Sequence, residues 1–456
     1  MFKIFFGSSL ILIASFMLIS FNKNTEYDIE KVDIALDQDP WLYESDFFDT
    51  DALKKLDDVV KSSKLRVIVE DEGVQDAGEA VPLNHSNCNH PYMTVKKTFC
   101  AFPNRLDVAM HFLQTGGFNG RMEMYEKMAA RIITFRHKLL NTALDETQLK
   151  LIYGEKFLRK AREVCSKNEI KKFDKETLVT NLFQFDVIIM LPGQELPMHL
   201  DLPYFWNADR RNIPHWLLIL MKKSTLFNDR FIPQVQGVSW LSKHQHKKSK
   251  EESRQTGGNF FFYPYKNETE KYILSRSDFN SALLVDGTHV VHGVERFMSE
   301  RDSPPIEKNR LYYVSYNKNK NSWDLIDSIN DTILSSYLDD EVRISLVWRV
   351  HCFRNEDEKQ SYHDSKKNPP SMSVENVVNI LKSEMNDKIK YTSNIYSEMD
   401  KEKKLEFLVK LIDKYAKYPK KKDGSIFPVV NYCLLPLIMP KILNDFIFNP
   451  LLNLIC

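Results

Sequence analysis

The sequence predicts an α+β protein, with a jelly-roll β core set between two helical regions, and three observations predict it. Between residues 177 and 355, short runs rich in Val, Ile, Leu, Phe and Tyr follow one another, bounded by Gly, Pro, Asn or charged clusters. That is the pattern of an all-β barrel or jelly roll. Before that stretch (25–176) and after it (356–456), apolar residues recur at three- and four-residue intervals, as amphipathic helices require. With 456 residues, 43% of them hydrophobic, the chain can bury a core of ordinary size, as one large domain with additions or as two.

The chain opens on an apolar run at residues 4–21 behind Lys3. Eighteen residues at helical rise cover roughly 27 Å, close to the ~30 Å hydrocarbon core of a bilayer. Residues 1–24 therefore read as a signal peptide or signal anchor. The lack of a small-x-small cleavage site after Phe21 points to an anchor, with most of the chain in the lumen. In the N-terminal region, "DALKKLDDVVKSSK" has helical spacing with an Asp available as N-cap, and "MEMYEKMAARIITFRHKLLNTAL" (122–144) is the clearest helix.

From about Thr177 the strand signals begin: "LVTNLFQFDVIIMLP", "HWLLILMKKSTLF", "QVQGVSWLS", "NFFFYPY", "SALLVDGTHVVHGVERF", "RLYYVSYN", "SWDLID" and "EVRISLVWRVHCF". "KHQHKKSKEESRQTGG" reads as a loop between two of them. Helical spacing returns in "SVENVVNILKSEM" and "KEKKLEFLVKLIDKYAKY". The apolar tail 427–456 is interrupted by Asn431, Pro436, Pro440 and Lys441, which favours packing on the protein body over a second membrane span.

Charge is balanced, 63 Lys+Arg against 62 Asp+Glu, which removes the electrostatic case for a nucleic-acid partner. The six cysteines (88, 100, 165, 352, 433 and 456) are too sparse for a disulfide scaffold but fit a few bridges in an oxidising lumen. Cys88 and Cys100 are near enough in sequence to close a small loop. None forms C-x-x-C, so zinc and thioredoxin-like readings lack support. Sequons at Asn84, Asn267 and Asn330 would be glycan acceptors in the lumen.

Chemistry gathers around "LPMHLDLPYF" (196–205). His199 and Asp201 stand at i and i+2, on one face if both lie in a strand. Alone, H-x-D is weak evidence, since a buried His bonded to an Asp is a common structural pair. A third group strengthens it: "LVDGTHVVHGVERF" supplies His292 on a later strand. Two imidazoles and one carboxylate are the facial triad suited to Fe(II), with three coordination positions left open.

These residues resemble those of the 2-oxoglutarate- and Fe(II)-dependent dioxygenases, including the prolyl-hydroxylase-like domains. Members of that family carry H-x-D, a distal His and then an Arg on a double-stranded β-helix, a cupin-like jelly roll. The resemblance covers roughly 177–355, and "GGNFFFYPY" ahead of "SALLVDGTHVVHGV" shares it. It implies His199, Asp201 and His292 as catalytic metal ligands, Fe(II) as metal, 2-oxoglutarate as cosubstrate and ascorbate as an optional reductant. His289 is the rival distal ligand, but it lacks the apolar residue at i+2 that His292 has in Val294, and it would face the other way.

A dicarboxylate chelating iron by its keto-acid end leaves its far carboxylate for a bidentate guanidinium. Arg343 in "RISLVWRV", with Ser345 on the same face, gives the R-x-S pattern that the family uses; Arg310 in "RLYYVSYN" is the alternative, nearer His292 in sequence. His244 and His246 read as solvated loop residues and His215 as structural. Trp206, Tyr204, Trp216 and Trp240 suit a substrate cleft or core packing equally.

The resemblance implies an oxidoreductase that couples oxidative decarboxylation of 2-oxoglutarate to hydroxylation of a substrate in the secretory-pathway lumen, endoplasmic reticulum or Golgi, membrane-anchored or secreted. The substrate class, whether protein, glycan or small molecule, stays open. Two rivals remain: a catalytically silent, membrane-anchored binding module on the same β fold, and a cupin-like metal enzyme that ignores oxoglutarate.

Overall fold

The computed structural model describes residues 41–68, 76–82, 94–95, 99–103, 130–141, 146–168, 170–242, 256–263, 273–275, 277–307, 309–367, 372–385 and 396–415. The apolar leader, the apolar tail, His244, His246, Cys88 and the sequons at Asn84 and Asn267 lie outside them. Among the described residues no helix is long and apolar enough to cross a membrane.

In chain order the first elements are β1 (Trp41–Glu44), α1 (Thr50–Ser62), β2 (Leu65–Ile68), β3 (Asp76–Pro82), β4 (Thr94–Val95), β5 (Phe99–Pro103), β6 (Phe135–Lys138) and α2 (Glu146–Ser166). The expected helix at 51–64 forms as α1, and Asp49 caps it by accepting from the Ala52 N–H at 2.8 Å. Its apolar stripe, Ala52, Leu56 and Val60, is buried.

Among its described residues the N-terminal region mixes strands with its helices. Where 122–144 was expected to be one helix, Phe135–Lys138 is a strand that pairs with the next long strand from Asp186 to Ile189. Ile132, Ile133 and Thr134 lead into it, and β-branched residues suit a pleated surface better than a helix. β1, β2 and β6 extend the main sheet, so this region is built into the β core.

The elements that build the site are β7 (Val179–Met190), β8 (Leu196–His199), β9 (Tyr204–Phe205), α3 (His215–Ser224), β10 (Phe231–Ile232), β11 (Gln234–Trp240), β12 (Phe260–Phe262), β13 (Ile273–Ser275), β14 (Ala282–Val285) and β15 (His292–Val294). The chain continues through β16 (Leu311–Asn317), β17 (Ser322–Asp327), β18 (Thr332–Leu338), β19 (Arg343–Phe353), α4 (Glu356–Lys367), α5 (Val374–Ser383) and α6 (Lys401–Tyr415). The last two are the expected C-terminal helices.

"HWLLILMKKSTLF", expected as a strand, is instead α3, apolar on nearly every side because it is buried from Trp216 to Lys222. Leu and Met are strong helix formers, Pro214 precedes the first turn, and Lys222 and Lys223 close the last one.

Two antiparallel sheets carry the architecture. The ten-stranded sheet runs β1-β14-β11-β19-β7-β6-β2-β16-β17-β18, and the four-stranded sheet runs β13-β12-β15-β8. Alternation along β19 separates two environments. Ile344, Leu346, Trp348, Val350 and Cys352 pack with α1 and α2 in one core. On the other face Val347 joins Met190, Val238 and Trp240 of the large sheet and Phe260, Phe262 and Val294 of the small one in a second core between the sheets. A third core packs α3, α5 and α6 against Met198, Leu200 and Val291 around the small sheet. A disulfide, Cys165–Cys352, joins α2 to β19 across 187 residues of sequence.

Candidate metal centre

The expected triad comes together. His199 ends β8, His292 opens β15, and the two are direct partners across the antiparallel pair. Their rings lie 4.3 Å apart by centroid, and each Nε2 is 3.9 Å from Asp201 Oδ1. One ligand atom from each residue falls within 4.8 Å of the others. Asp201 sits two residues past the end of β8, outside the strand, and its backbone N–H donates to Gly287 O at 2.8 Å. The shared face inferred for an unbroken strand is therefore supplied by that loop contact.

Both imidazoles are set for metal through Nε2. His199 Nδ1 donates to Pro197 O at 2.7 Å and His292 Nδ1 to Val290 O at 2.9 Å. A carbonyl can only accept, so each Nδ1 carries the proton and each Nε2 the lone pair. Burial, opposed by the Asp201 carboxylate and the bond to Val290, pushes the His292 pKa down and favours the neutral ligand form.

The donor set fits a ferrous ion. His292 Nε2 and Asp201 Oδ2 are buried and have no hydrogen-bond partner among the described residues. Buried polar atoms rarely go unmatched, and here two converge. Gly287 preserves the space: a Cβ there would stand 2.1 Å from Asp201 Oδ2 and 3.0 Å from His292 Cε1. Phe260 stacks on the His292 ring, centroids 5.4 Å apart and planes at 20°. His289, the rival ligand, is committed elsewhere, to Asp286 and Lys222.

Arg343 and Ser345 lie on the inner face of β19, both 2% exposed. Arg343 Nη1 meets Met190 Sδ at 3.4 Å, while Nε and Nη2 have no hydrogen-bond partner among the described residues. Burial alone pushes its pKa down to about 9. Its side chain runs beside Gly258, two residues before Phe260. Among the described residues Ser345 Oγ makes only a long contact, 3.5 Å, to Ile188 O. Arg310, the alternative, is held outside this space by Glu307 at 2.7 Å and Asp327 at 2.5 Å, beside strands that pair with β2 and β17.

Arg349 was not anticipated. It stands six residues beyond Arg343, an even spacing that puts both on one strand face. Its Nη2 donates to Asp201 Oδ1, its Nε to Gln236 Oε1 at 2.7 Å and its Nη1 to Gln184 Oε1 at 3.2 Å. Oδ1 thus carries this bond, while Oδ2 has no hydrogen-bond partner among the described residues. One step further on that face, His351 is buried between Phe183 and Tyr204. Phe183 is the extra residue of a bulge opposite Arg349 and Val350, which turns its ring inward. Of the four aromatic residues left open, Trp240 packs in the core between the sheets and Trp216 in the α3 core, while Tyr204 and Trp206 pack with Phe353 and Tyr362.

No protein-family model matches the chain, and no curated protein is similar to it in sequence. Solved structures that match the chain include a 2OG-Fe(II) oxygenase family oxidoreductase from Burkholderia pseudomallei, at 12% identity and TM-score 0.29, covering 69% of this chain and 86% of that one. A prolyl-4-hydroxylase from Pseudomonas putida matches at 8% identity and TM-score 0.28, over 68% of this chain and 92% of that one. HygX from Streptomyces hygroscopicus, with nickel, 2-oxoglutarate and hygromycin B bound, matches at 10% identity and TM-score 0.28, over 68% and 82% respectively. Likenesses this slight assign no activity; the side chains of the site must do so.

Proposed function

We propose that this protein is an Fe(II)- and 2-oxoglutarate-dependent dioxygenase whose two facing sheets form a double-stranded β-helix. The observation that carries this reading is on β19. One strand face presents a buried guanidinium with no carboxylate partner among the described residues and, six residues on, the arginine that grips the triad's Asp201. A buried cation without a counter-charge is costly and makes sense beside an anionic ligand.

His199, Asp201 and His292 would hold Fe(II) from one side. Arg343 would receive the far carboxylate of 2-oxoglutarate through Nε and Nη2, with the Ser345 hydroxyl as a further donor. Arg349 fixes the rotation of Asp201 beside the two imidazoles, so that its carboxylate would be held ready for the metal. Met190, Phe260 and Val294, buried in the core between the sheets, make the surroundings apolar. When bound, iron and 2-oxoglutarate would activate dioxygen, the oxidant: decarboxylation of the keto acid to succinate would take up one oxygen atom and the substrate C–H bond the other.

The substrate we assign to the secretory pathway. The apolar leader supports this, and so does the Cys165–Cys352 bridge, since such bonds persist in oxidising compartments. The experiment is 2-oxoglutarate-dependent succinate formation with Fe(II). His199→Ala and Asp201→Ala should each abolish it; full turnover in either variant removes those ligand assignments.

A further inference from the structure

A second cluster of buried titratable groups lies behind the metal site. Lys222 on α3 places Nζ 2.7 Å from His289 Nε2, and His289 Nδ1 is 2.6 Å from Asp286 Oδ2. Lys222 and Asp286 are buried, and the His289 side chain is only 6% exposed. Burial works against the Asp286 charge, but His289, Lys222 and Thr288 outweigh it and hold the carboxyl below its ordinary range. A carboxylate only accepts, so His289 Nδ1 donates to it, Nε2 is the acceptor, and Lys222 donates to Nε2.

Asp286 is also the hub of the turn that follows β14. Its Oδ1 accepts from Thr288 N at 3.1 Å and Thr288 Oγ1 at 2.6 Å, and its Oδ2 accepts from Asn168 Nδ2 at 3.1 Å. Its backbone carbonyl takes the N–H groups of His289 and Val290. Residues 286–290 are thus fixed from within.

That same turn grips two of the three triad members. Gly287 O accepts the Asp201 N–H at 2.8 Å, and Val290 O accepts His292 Nδ1–H at 2.9 Å. Gly287 also abuts Asp201 Oδ2. A displaced turn would move one ligand and rotate another.

We propose that Asp286, His289 and Lys222 are positioning residues for the metal centre: a buried relay from α3 that sets the turn from which Asp201 and His292 take their orientation. None of them touches the metal. The inference rests on the metal-site reading above and adds that affinity for the ion is set partly from α3, whose other side packs on α5 and α6.

Co(II) is the probe, titrated into metal-free protein and followed by its visible spectrum and by calorimetry, with thermal melts of each metal-free variant alongside. His289→Leu should weaken Co(II) binding about 10- to 100-fold, as outer partners of metal ligands do, and change the spectrum. His289→Asn, whose amide N–H can replace Nδ1–H toward Asp286, should restore affinity to within about threefold of wild type while removing the imidazole that accepts from Lys222. Should His289→Leu not fold, Thr288→Val, which removes one bond to Asp286, should still weaken Co(II) measurably. Wild-type binding with unchanged affinity and spectrum in the folded variants would overturn the inference alone. So would equal losses in His289→Leu and His289→Asn. A wild-type chain that takes up no Co(II) would overturn the metal-site reading and this inference together.

Discussion

Arg343→Met removes a buried cation whose Nε and Nη2 have no hydrogen-bond partner among the described residues. Two opposite effects follow. Burial pushes the guanidinium down from its ordinary value to about 9. Because the folded value is depressed for a base, the cost is complete below about pH 9 and fades as the pH rises towards the ordinary arginine value. At pH 7 it is on the order of 5 kcal/mol as an upper bound. Recovering even ~2 kcal/mol should raise the melting temperature of the ligand-free variant by a few degrees.

The same change deletes the anchor we propose for 2-oxoglutarate. Two charge-assisted hydrogen bonds at about 1.5–3 kcal/mol each make the loss about 3–6 kcal/mol, or roughly 10²- to 10⁴-fold in Kd. The assay is thermal melting with Mn(II), with and without 2-oxoglutarate. Wild type should gain about 2.7 kcal/mol at a hundredfold excess over Kd, and the variant should gain almost nothing at that concentration. A variant that is stabilised as strongly as wild type would refute the reasoning.

Gly287→Ala places a methyl 2.1 Å from Asp201 Oδ2, so metal binding should fall below detection in a titration while the far-ultraviolet dichroism stays that of wild type. The Cys165→Ser/Cys352→Ser double variant, or reduction, opens a 187-residue loop and should cost about 2–5 kcal/mol by denaturant titration. Burial pushes Lys222 down to about 7, against the pull of Asp286. The unfolded chain therefore binds more protons between about pH 7 and 10.5, and stability should rise with pH there by up to ~1.4 kcal/mol per unit. Lys222→Met should flatten that rise in denaturant titrations across the window.

Much of the site was legible because its chemistry sits on strands, where spacing reports facing. H-x-D, His292 and the R-x-S pair were all readable by residue type and period. Arg349 was missed although the even spacing from Arg343 was in plain sight; only the fold shows that Asp201 reaches it. Asp201 itself was placed on a strand that ends at His199. "WLLILM" was read as a strand because a short unbroken apolar run fits either element. Its Leu and Met content and the preceding Pro214 were the signals for a helix. Phe135–Lys138 was hidden inside a helical pattern because its pairing partner, Asp186–Ile189, lies about fifty residues away. The Cys165–Cys352 pairing had no local signature at all.

The central claim is that His199, Asp201 and His292 share one ferrous ion. Anaerobic Fe(II) titration of the full chain, with X-ray absorption of the loaded protein, tests it most directly. One iron per chain with two imidazole ligands is expected, falling to one imidazole and much weaker binding in His292→Ala. A wild-type chain that takes up no iron, or a His292→Ala variant with the same iron environment as wild type, would contradict the account.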